Sequence, residues 1–598
     1  MPKNPERMIL FPGNTAHNDY LPLEAFKQVA ASAAESGFTH VDMGSAMISR
    51  SRYQLDNNGN YCKGYDFYPE YTAAFPDLLK FCCPGKLKDF LPQDYISKNQ
   101  EELHRRGEIL QELGLKGSLI GASPQWLPEG VFARHPDWRG PRCDMPFRSR
   151  RPYFVPCVDN EEVLDLYREA SRGVGEVAPM LDTLIYMTND SGTSFCWGNS
   201  YPGMNGPLSC RERSMHDRVT GFMKANSSGL ADGKAQVFHS FVGFWCFTGL
   251  MPAYPGIDVS NKIYFIRPTQ DKPVAHENPL LMLEMLEKAA KTEPDTLVVS
   301  VEQPQITFKK GGVYQSMIKK FRKNTTSGQT SRILFLRELI DELDLEDAGR
   351  DNLLDAWQYL YRATSDTAID RLFYYSIFLY TCMSARVLVR PLLPLPLELT
   401  EEGGEYYRKH LFSSLDSPEI MTDLLNVHGT RNAFMGRTAE EAERSVKCWD
   451  SVIFSLNNAV DAIKSGIAVA DKKRLHYLQD TLRRILTLSC FAENLRNACE
   501  FQALLDRAKR GEYSDDVNSE HLERVMRREL DNTQALIKLL EEKGFEPLLP
   551  LAKKAEDENT FLFGPDLASQ LKRKASLMLD HWYDSQRLFA NKTLIRGY

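Results

Sequence analysis

Residues 183–190 read TLIYMTND, an apolar, strand-forming run that closes on a polar Asn189–Asp190 step. The run is short for a helix, and its apolarity on both faces suits a strand buried inside a parallel sheet. The same texture recurs on either side: MILFP at 8–12, FTHVDM at 38–43, GSLIGA at 117–122, AQVFHSFV at 235–242, KIYFIRP at 262–268, TLVVSVE at 296–302 and RILFL at 332–336. Helical stretches lie between them, at 22–36 closed by Gly37, at 98–113 closed by Gly114, at 160–176 with Asp159 as its cap, and at 277–291. Eight strands alternating with helices predict an α/β fold, a (β/α)8 TIM barrel with large insertions. The segment RILFLRELIDELDLED reads equally well as helix throughout, which makes the eighth strand the weakest member.

From about residue 340 the texture changes. Segments 351–390, 438–465, 471–507, 515–544 and 564–590 carry apolar residues at i, i+3 and i+4, the pattern of an all-helical domain. The proline-rich turn VRPLLPLPLEL at 389–399 marks the seam. The expected division is a barrel over 1–395 and an α-helical domain over 396–598. No period of 20–50 residues recurs, so a solenoid is excluded.

Across the 598 residues, 42% are hydrophobic and 26% charged, which is ordinary globular usage and excludes a disordered or collagen-like chain. A net charge of −7 gives no global reason to bind nucleic acid. The first twenty residues lack a secretory apolar core, and no stretch approaches the ~18 uninterrupted apolar residues of a membrane span, so the expectation is a cytoplasmic protein with no membrane partner. The twelve cysteines are scattered without a CxxC pair and read as reduced core residues rather than a disulfide or zinc framework. No GxxxxGK[ST], strand-to-helix GxGxxG or GxSxG occurs, which argues against nucleotide-dependent enzymes and serine hydrolases.

In a barrel the active site lies at the carboxyl ends of the strands. Asn189 and Asp190 end the fourth strand and open a loop rich in Gly, Asn, Ser, Trp and Tyr; the competing reading is an Asx-turn leaving the strand. Glu302 ends the seventh strand, with a capping salt bridge as its alternative role. Strands four and seven stand opposite one another in an eight-stranded ring, so Asp190 and Glu302 are expected to face each other across the pocket. Two facing carboxylates suit glycosidic bond cleavage, one protonating the leaving oxygen and the other attacking or stabilising the anomeric carbon or activating water.

Trp126, Trp138, Trp197, Tyr201, Trp245 and Tyr254 fall in the expected strand-end loops, where a ring lines a sugar face or simply fills core. HPDWRGPRCDMPFRSRRPYF at 135–154 holds five arginines between Arg139 and Arg151, suited to an acidic group on the substrate or to local acids. His17 and Asp19 after strand one, His40 and Asp42 on strand two and His239 on strand five resemble the donors of a metal-dependent barrel hydrolase, but the run at strand one is His-Asn-Asp rather than two alternating histidines. These five, with Trp126, Arg139, Asn189, Trp197, Tyr201, Trp245 and Arg267, are the expected substrate-binding groups, with no metal and no cofactor. Arg386, Arg390, His428 and Arg431 are expected to bridge the two domains or close one side of the pocket.

The Asn189–Asp190 step, the acid ending strand seven and the helical C-terminal region resemble the glycoside hydrolases related to the β-N-acetylhexosaminidases and α-glucuronidases. NDSGTSFCW at 189–197 and SARVLVRPLLPLP at 384–396 look similar to segments of such enzymes. The resemblance implies Asp190 as acid/base, Asn189 at the sugar 2-position and Glu302 as nucleophile. The large retaining clan has Asn-Glu where this chain has Asn-Asp, and hexosaminidases have Asp-Glu with the substrate acetamide attacking. The expectation is a glycoside hydrolase releasing a terminal sugar, acidic or N-acetylated, from an oligosaccharide or glycoconjugate. A metal-dependent barrel hydrolase or isomerase and an inactive carbohydrate-binding protein are the alternatives, with a homodimer left open.

Overall fold

The computed structural model describes residues 5–12, 21–44, 78–143, 152–187, 195–198, 204–230, 234–238, 249–250, 262–268, 274, 276–301, 304–323, 325–326, 328–343, 345, 349–364, 385–395, 399–409, 439–512, 514–545 and 563–590. The chain divides into two compact units, Met1–Asp271 with Leu281–Phe335, and Lys272–Leu280 with Leu336–Tyr598.

The first unit is built on strands β1 (Arg7–Pro12), β2 (His40–Asp42), β3 (Lys116–Ala122), β4 (Arg139–Arg142), β5 (Phe154–Pro156), β6 (Leu181–Met187), β7 (Lys234–Phe238), β8 (Gly249–Leu250), β9 (Ile263–Ile266) and β10 (Thr296–Val301). Eight of them form one curled sheet in the order β7-β6-β3-β2-β1-β10-β9-β8, and β4 pairs with β5 in a separate antiparallel ribbon. Every neighbour in the large sheet is parallel except β8, which runs antiparallel to β9. β1 pairs with β10 from Arg7↔Thr296 to Pro12↔Val301, so the first strand lies beside the last, as at the seam of a (β/α) barrel. No ladder joins β7 to β8 among the described residues, which form a curled half-barrel sheet.

The strand residues follow from the layering. Ile9, Leu10 and Phe11 of β1 and all of β9 and β10 are buried, because helices cover one face and the curled interior is packed on the other. Leu23–Glu35, Gln93–Glu112, Glu161–Val177, Met215–Ser227 and Pro279–Thr292 supply such helices. Gly37 (φ 79°) and Gly114 (φ 67°) take the left-handed conformation just past two of them. Asn160, not Asp159, caps Glu161–Val177, its side chain accepting from the Glu162 N–H at 2.9 Å.

The expected eighth strand is helix, Gln329–Glu342. Phe335, Leu336, Leu339 and Ile340 are buried while Leu334 is 54% exposed. Two adjacent buried residues repeated four positions on make a helical face, and a strand would have alternated. Arg332 extends from the same helix to Glu287, with donor–acceptor distances of 3.0 and 2.8 Å.

The second unit is helical: Arg350–Thr364, Ala385–Val389, Glu401–Lys409, Ala439–Val469, Lys472–Lys509, Asp515–Leu540, Leu567–Asp580 and Asp584–Ala590. Trp449, Val452, Leu456, Ala459 and Ile463 line one buried stripe of Ala439–Val469 at alternating steps of three and four. This helix alone among the described ones is long and apolar enough to cross a membrane by composition, and its stripe packs with Arg350–Thr364 and Lys472–Lys509. Inside the unit lies a polar knot in which Lys574 and Glu529, both fully buried, form an ion pair.

Candidate functional site

Parallel strands end on one edge of a sheet, and the long connections leaving that edge build the region of interest here. β6 ends at Met187 and β10 at Val301; β3, β2 and β1 lie between them. Asp190 follows the end of β6 by three positions and Glu302 that of β10 by one, and both lie outside the described residues, as do His17, Asp19, Asn189, Tyr201, His239, Trp245 and Tyr254. Of the second unit's expected groups, His428, Arg431 and the Arg386 side chain also lie outside, and Arg390 is 1% exposed within that unit.

Asp42 sits where β2 stops. Its carboxylate oxygens accept from the backbone N–H groups of Gly44 (3.2 Å) and Ile120 (2.7 Å), taking over from the ladder that ends there. The side chain is fully buried, and burial pushes the carboxyl up to about 7 against the pull of those two N–H groups and of Arg106. Arg106 donates to the carbonyls of Met43 (2.8 Å) and Leu21 (2.7 Å), holding the chain after β2 and the start of the first helix together at this edge. Arg267 follows β9 directly and is 2% exposed, which places a permanent cation at the carboxyl end of that strand. A carboxyl poised near neutrality and a buried guanidinium at strand ends are the kind of groups that bind or polarise a substrate.

His40 has a different position. As the first residue of β2 it lies at the amino edge, where Nε2 meets Asp182 Oδ1 at 2.9 Å and Nδ1 meets Thr39 Oγ1 at 2.8 Å. Lys116, the first residue of β3, donates to Asp182 Oδ2 at 2.8 Å. Burial raises the Asp182 carboxyl, but the hydrogen bonds from His40, Lys116 and Thr183 outweigh it and hold the group below the usual carboxylate range. The network ties β2, β3 and β6 together at the amino ends of these strands and engages both ring nitrogens of His40.

Trp126 is 2% exposed and packs edge-on against Tyr153 with ring centres 4.9 Å apart; its Nε1 meets no acceptor among the described residues. Arg139 makes a fork on Glu129, one bond of which is 2.9 Å, and stacks over Phe132 and Phe154 at 5.0 and 4.6 Å. Its guanidinium is therefore engaged by a nearby acid and two rings. Trp197 has φ 60°, donates from Nε1 to the Pro207 carbonyl at 2.9 Å, and carries Arg211 over its ring at 5.2 Å.

Beside Trp197 the structure brings together residues that sequence spacing conceals. Cys157, Cys196, Cys210 and Asp159 place their ligand atoms within 4.8 Å of one another. Hydrogen bonding from Cys196 lowers the Cys157 thiol to about 6, the same bond raises Cys196, and burial lifts Cys210 to about 11. The group borders a cavity of about 940 Å³ lined in part by Asp137, Arg139, Asn205 and Arg213. Asn205 locks the loop after β6 onto the ribbon, accepting from the Arg142 N–H at 2.6 Å and donating to the Arg142 carbonyl at 3.3 Å. The signal available in sequence was FCW at 195–197, read there for its tryptophan and not for its cysteine.

No family model matches the sequence, and no curated protein matches it. Among solved structures the chain is similar to a GH138 enzyme targeting pectin rhamnogalacturonan II, with a TM-score of 0.52 and 11% identity over 99% of this chain and 84% of that one. It also matches in part AgaA, a GH36 α-galactosidase from Geobacillus stearothermophilus, with a TM-score of 0.27 and 14% identity over 54% of this chain and 43% of that one. A third partial match is the pneumococcal GH20 exo-β-D-N-acetylglucosaminidase StrH, with a TM-score of 0.25 and 11% identity over 60% of this chain and 91% of that one. The full-length match gives the chain a glycoside-hydrolase-like fold.

Proposed function

We propose that the protein is a glycoside hydrolase that releases a terminal sugar bearing an acidic or N-acetylated group from an oligosaccharide or glycoconjugate. The observation that carries the reading is the likeness, over 99% of the chain, to an enzyme targeting pectin rhamnogalacturonan II. In this proposal Asp190, after β6, protonates the leaving oxygen, and Glu302, after β10, attacks or shields the anomeric carbon. Carboxyls about 5–5.5 Å apart give retention, and about 6.5–9.5 Å leave room for a water and give inversion. Arg267 suits a carboxylate-bearing sugar, because a buried guanidinium forms charge-assisted bonds to a planar carboxylate.

The test is hydrolysis of aryl glycosides and of oligosaccharides cut from rhamnogalacturonan II by the wild type, Asp190→Asn and Glu302→Gln. Loss of proton transfer alone lowers kcat by about 10²–10⁴-fold. Turnover by the wild type that neither substitution diminishes overturns the assignment.

A further inference from the structure

We propose that Cys157, Cys196, Cys210 and Asp159 bind one structural zinc ion, which fastens the connection after β6 to the connection after β3. The Sγ atoms of Cys157 and Cys196 are 3.5 Å apart and those of Cys157 and Cys210 are 3.9 Å apart. A tetrahedral ion with metal–sulfur bonds of about 2.3 Å sets its sulfurs about 3.8 Å from one another, so the observed separations bracket that value. They are far from the ~2.05 Å of a disulfide.

The carboxylate completes the set. The Asp159 side chain is 6% exposed, and both bonds from Arg218 go to Oδ2, at 2.8 and 2.6 Å. Oδ1, the second oxygen, accepts no hydrogen bond among the described residues and pairs with Arg213 Nε at 3.4 Å. Because Asn160 caps the following helix, Asp159 is released from that duty and turns into the cluster. The competing explanation is a relay of thiol hydrogen bonds from Cys196 to Cys157 to Cys210 to the Pro207 carbonyl. That relay satisfies the thiols and leaves the buried Oδ1 with the 3.4 Å ion pair to Arg213 but no hydrogen bond among the described residues, whereas a cation satisfies all four groups.

The surroundings match as well. Three thiolates and a carboxylate carry four negative charges; a divalent ion with Arg213 and Arg218 offsets all four. Arg218, 1% exposed, also donates to the carbonyls of Cys196 (2.6 Å) and Cys210 (2.7 Å), so one guanidinium orients three of the four ligand residues from behind. Trp197, in its left-handed turn, packs over the thiols.

With four protein ligands the site is closed, the arrangement of a structural rather than a catalytic zinc. Cys196 lies six positions after Asp190, so the ion anchors the segment that carries the Asn189–Asp190 step. It contributes no atom to the proposed sugar chemistry, and its failure leaves the glycosidase reading standing.

The experiment is elemental analysis of the full chain, produced without a polyhistidine tag in zinc-supplemented medium and dialysed against a weak chelator. The expected result is about one zinc per chain, reduced to background in Cys196→Ser and Cys210→Ser and unchanged in Cys82→Ser. Arg213→Met, at a partly exposed position, lowers zinc affinity by about 10–100-fold. Should the cysteine variants fail to fold, cobalt exchanged into the wild-type chain reads the same geometry through its thiolate charge-transfer and tetrahedral absorption bands. Metal-free wild-type protein that takes up neither zinc nor cobalt on titration, or a Cys157–Cys196 disulfide in protein made under reducing conditions, overturns the proposal.

Discussion

Replacing Lys574 by Met in the helical unit tests how that unit tolerates charge in its core. Lys574 and Glu529 both have fully buried side chains and form an ion pair. Lys574 also donates to the Leu388 carbonyl at 2.7 Å, while Glu529 accepts from Asn494 at 2.8 Å and Asn497 at 2.9 Å. Burial lowers the Lys574 ammonium from its ordinary value, against the pull of Glu529. Removing one partner of such a pair costs about 3–5 kcal/mol, because a charge is left in the interior without its counter-charge. The two amide donors soften this loss, so about 3 kcal/mol is expected for Lys574→Met. Adding Glu529→Gln removes the stranded charge and keeps an acceptor for the asparagines, so the double variant recovers about 2 kcal/mol of it. The assay is urea unfolding of the full chain followed by far-ultraviolet circular dichroism. A loss below about 1 kcal/mol, or strictly additive single substitutions, would refute the reasoning.

Three further outcomes are expected. Asp42, raised to about 7, keeps a proton in the native state that the unfolded chain loses near pH 4; stability therefore falls by up to about 4 kcal/mol between these values, and Asp42→Asn flattens the profile measured by urea unfolding. Asp182 titrates below its ordinary value, so its stabilisation is fully present above about pH 4 and is lost as pH falls below that; His40→Ala weakens this acid limb and leaves KM and kcat for any cleaved glycoside unchanged. Gly229→Ala would set a Cβ 2.2 Å from the Arg172 backbone nitrogen and 2.4 Å from its Cα; thermal unfolding should show a loss of about 1–3 kcal/mol, because backbone in a packed helix does not yield.

Strand texture proved readable wherever a strand is buried on both faces. MILFP, GSLIGA, TLIYMTND and TLVVSVE each coincide with a strand, because an unbroken apolar run of that length has few other uses. RILFL shares the texture but belongs to a longer segment, and only its neighbours Leu339 and Ile340 disclose the helical period. The edge on which a residue falls was harder to read. His40 and Asp42 are two positions apart on one strand, yet one belongs to the amino-edge network and the other to the carboxyl edge, a difference set by where the ladder begins and ends. The cysteine cluster was illegible for another reason. Its members come from separate connections, and the register between β3 and β6 brings them together rather than any local spacing.

The pairing of β1 with β10 has a consequence in time. Arg7 meets Thr296, 296 − 7 = 289 positions later, so at roughly 5–20 residues per second the ribosome needs about 15–60 s to deliver the partner. Throughout that interval the edge of MILFP that β10 will cover has no native neighbour, and an apolar edge in that state is what chaperones bind and what aggregates recruit. The half-barrel is thus a fold whose earliest strand is among its last to be secured, and its yield in a cell depends on how well that one edge is sheltered until residue 301 emerges.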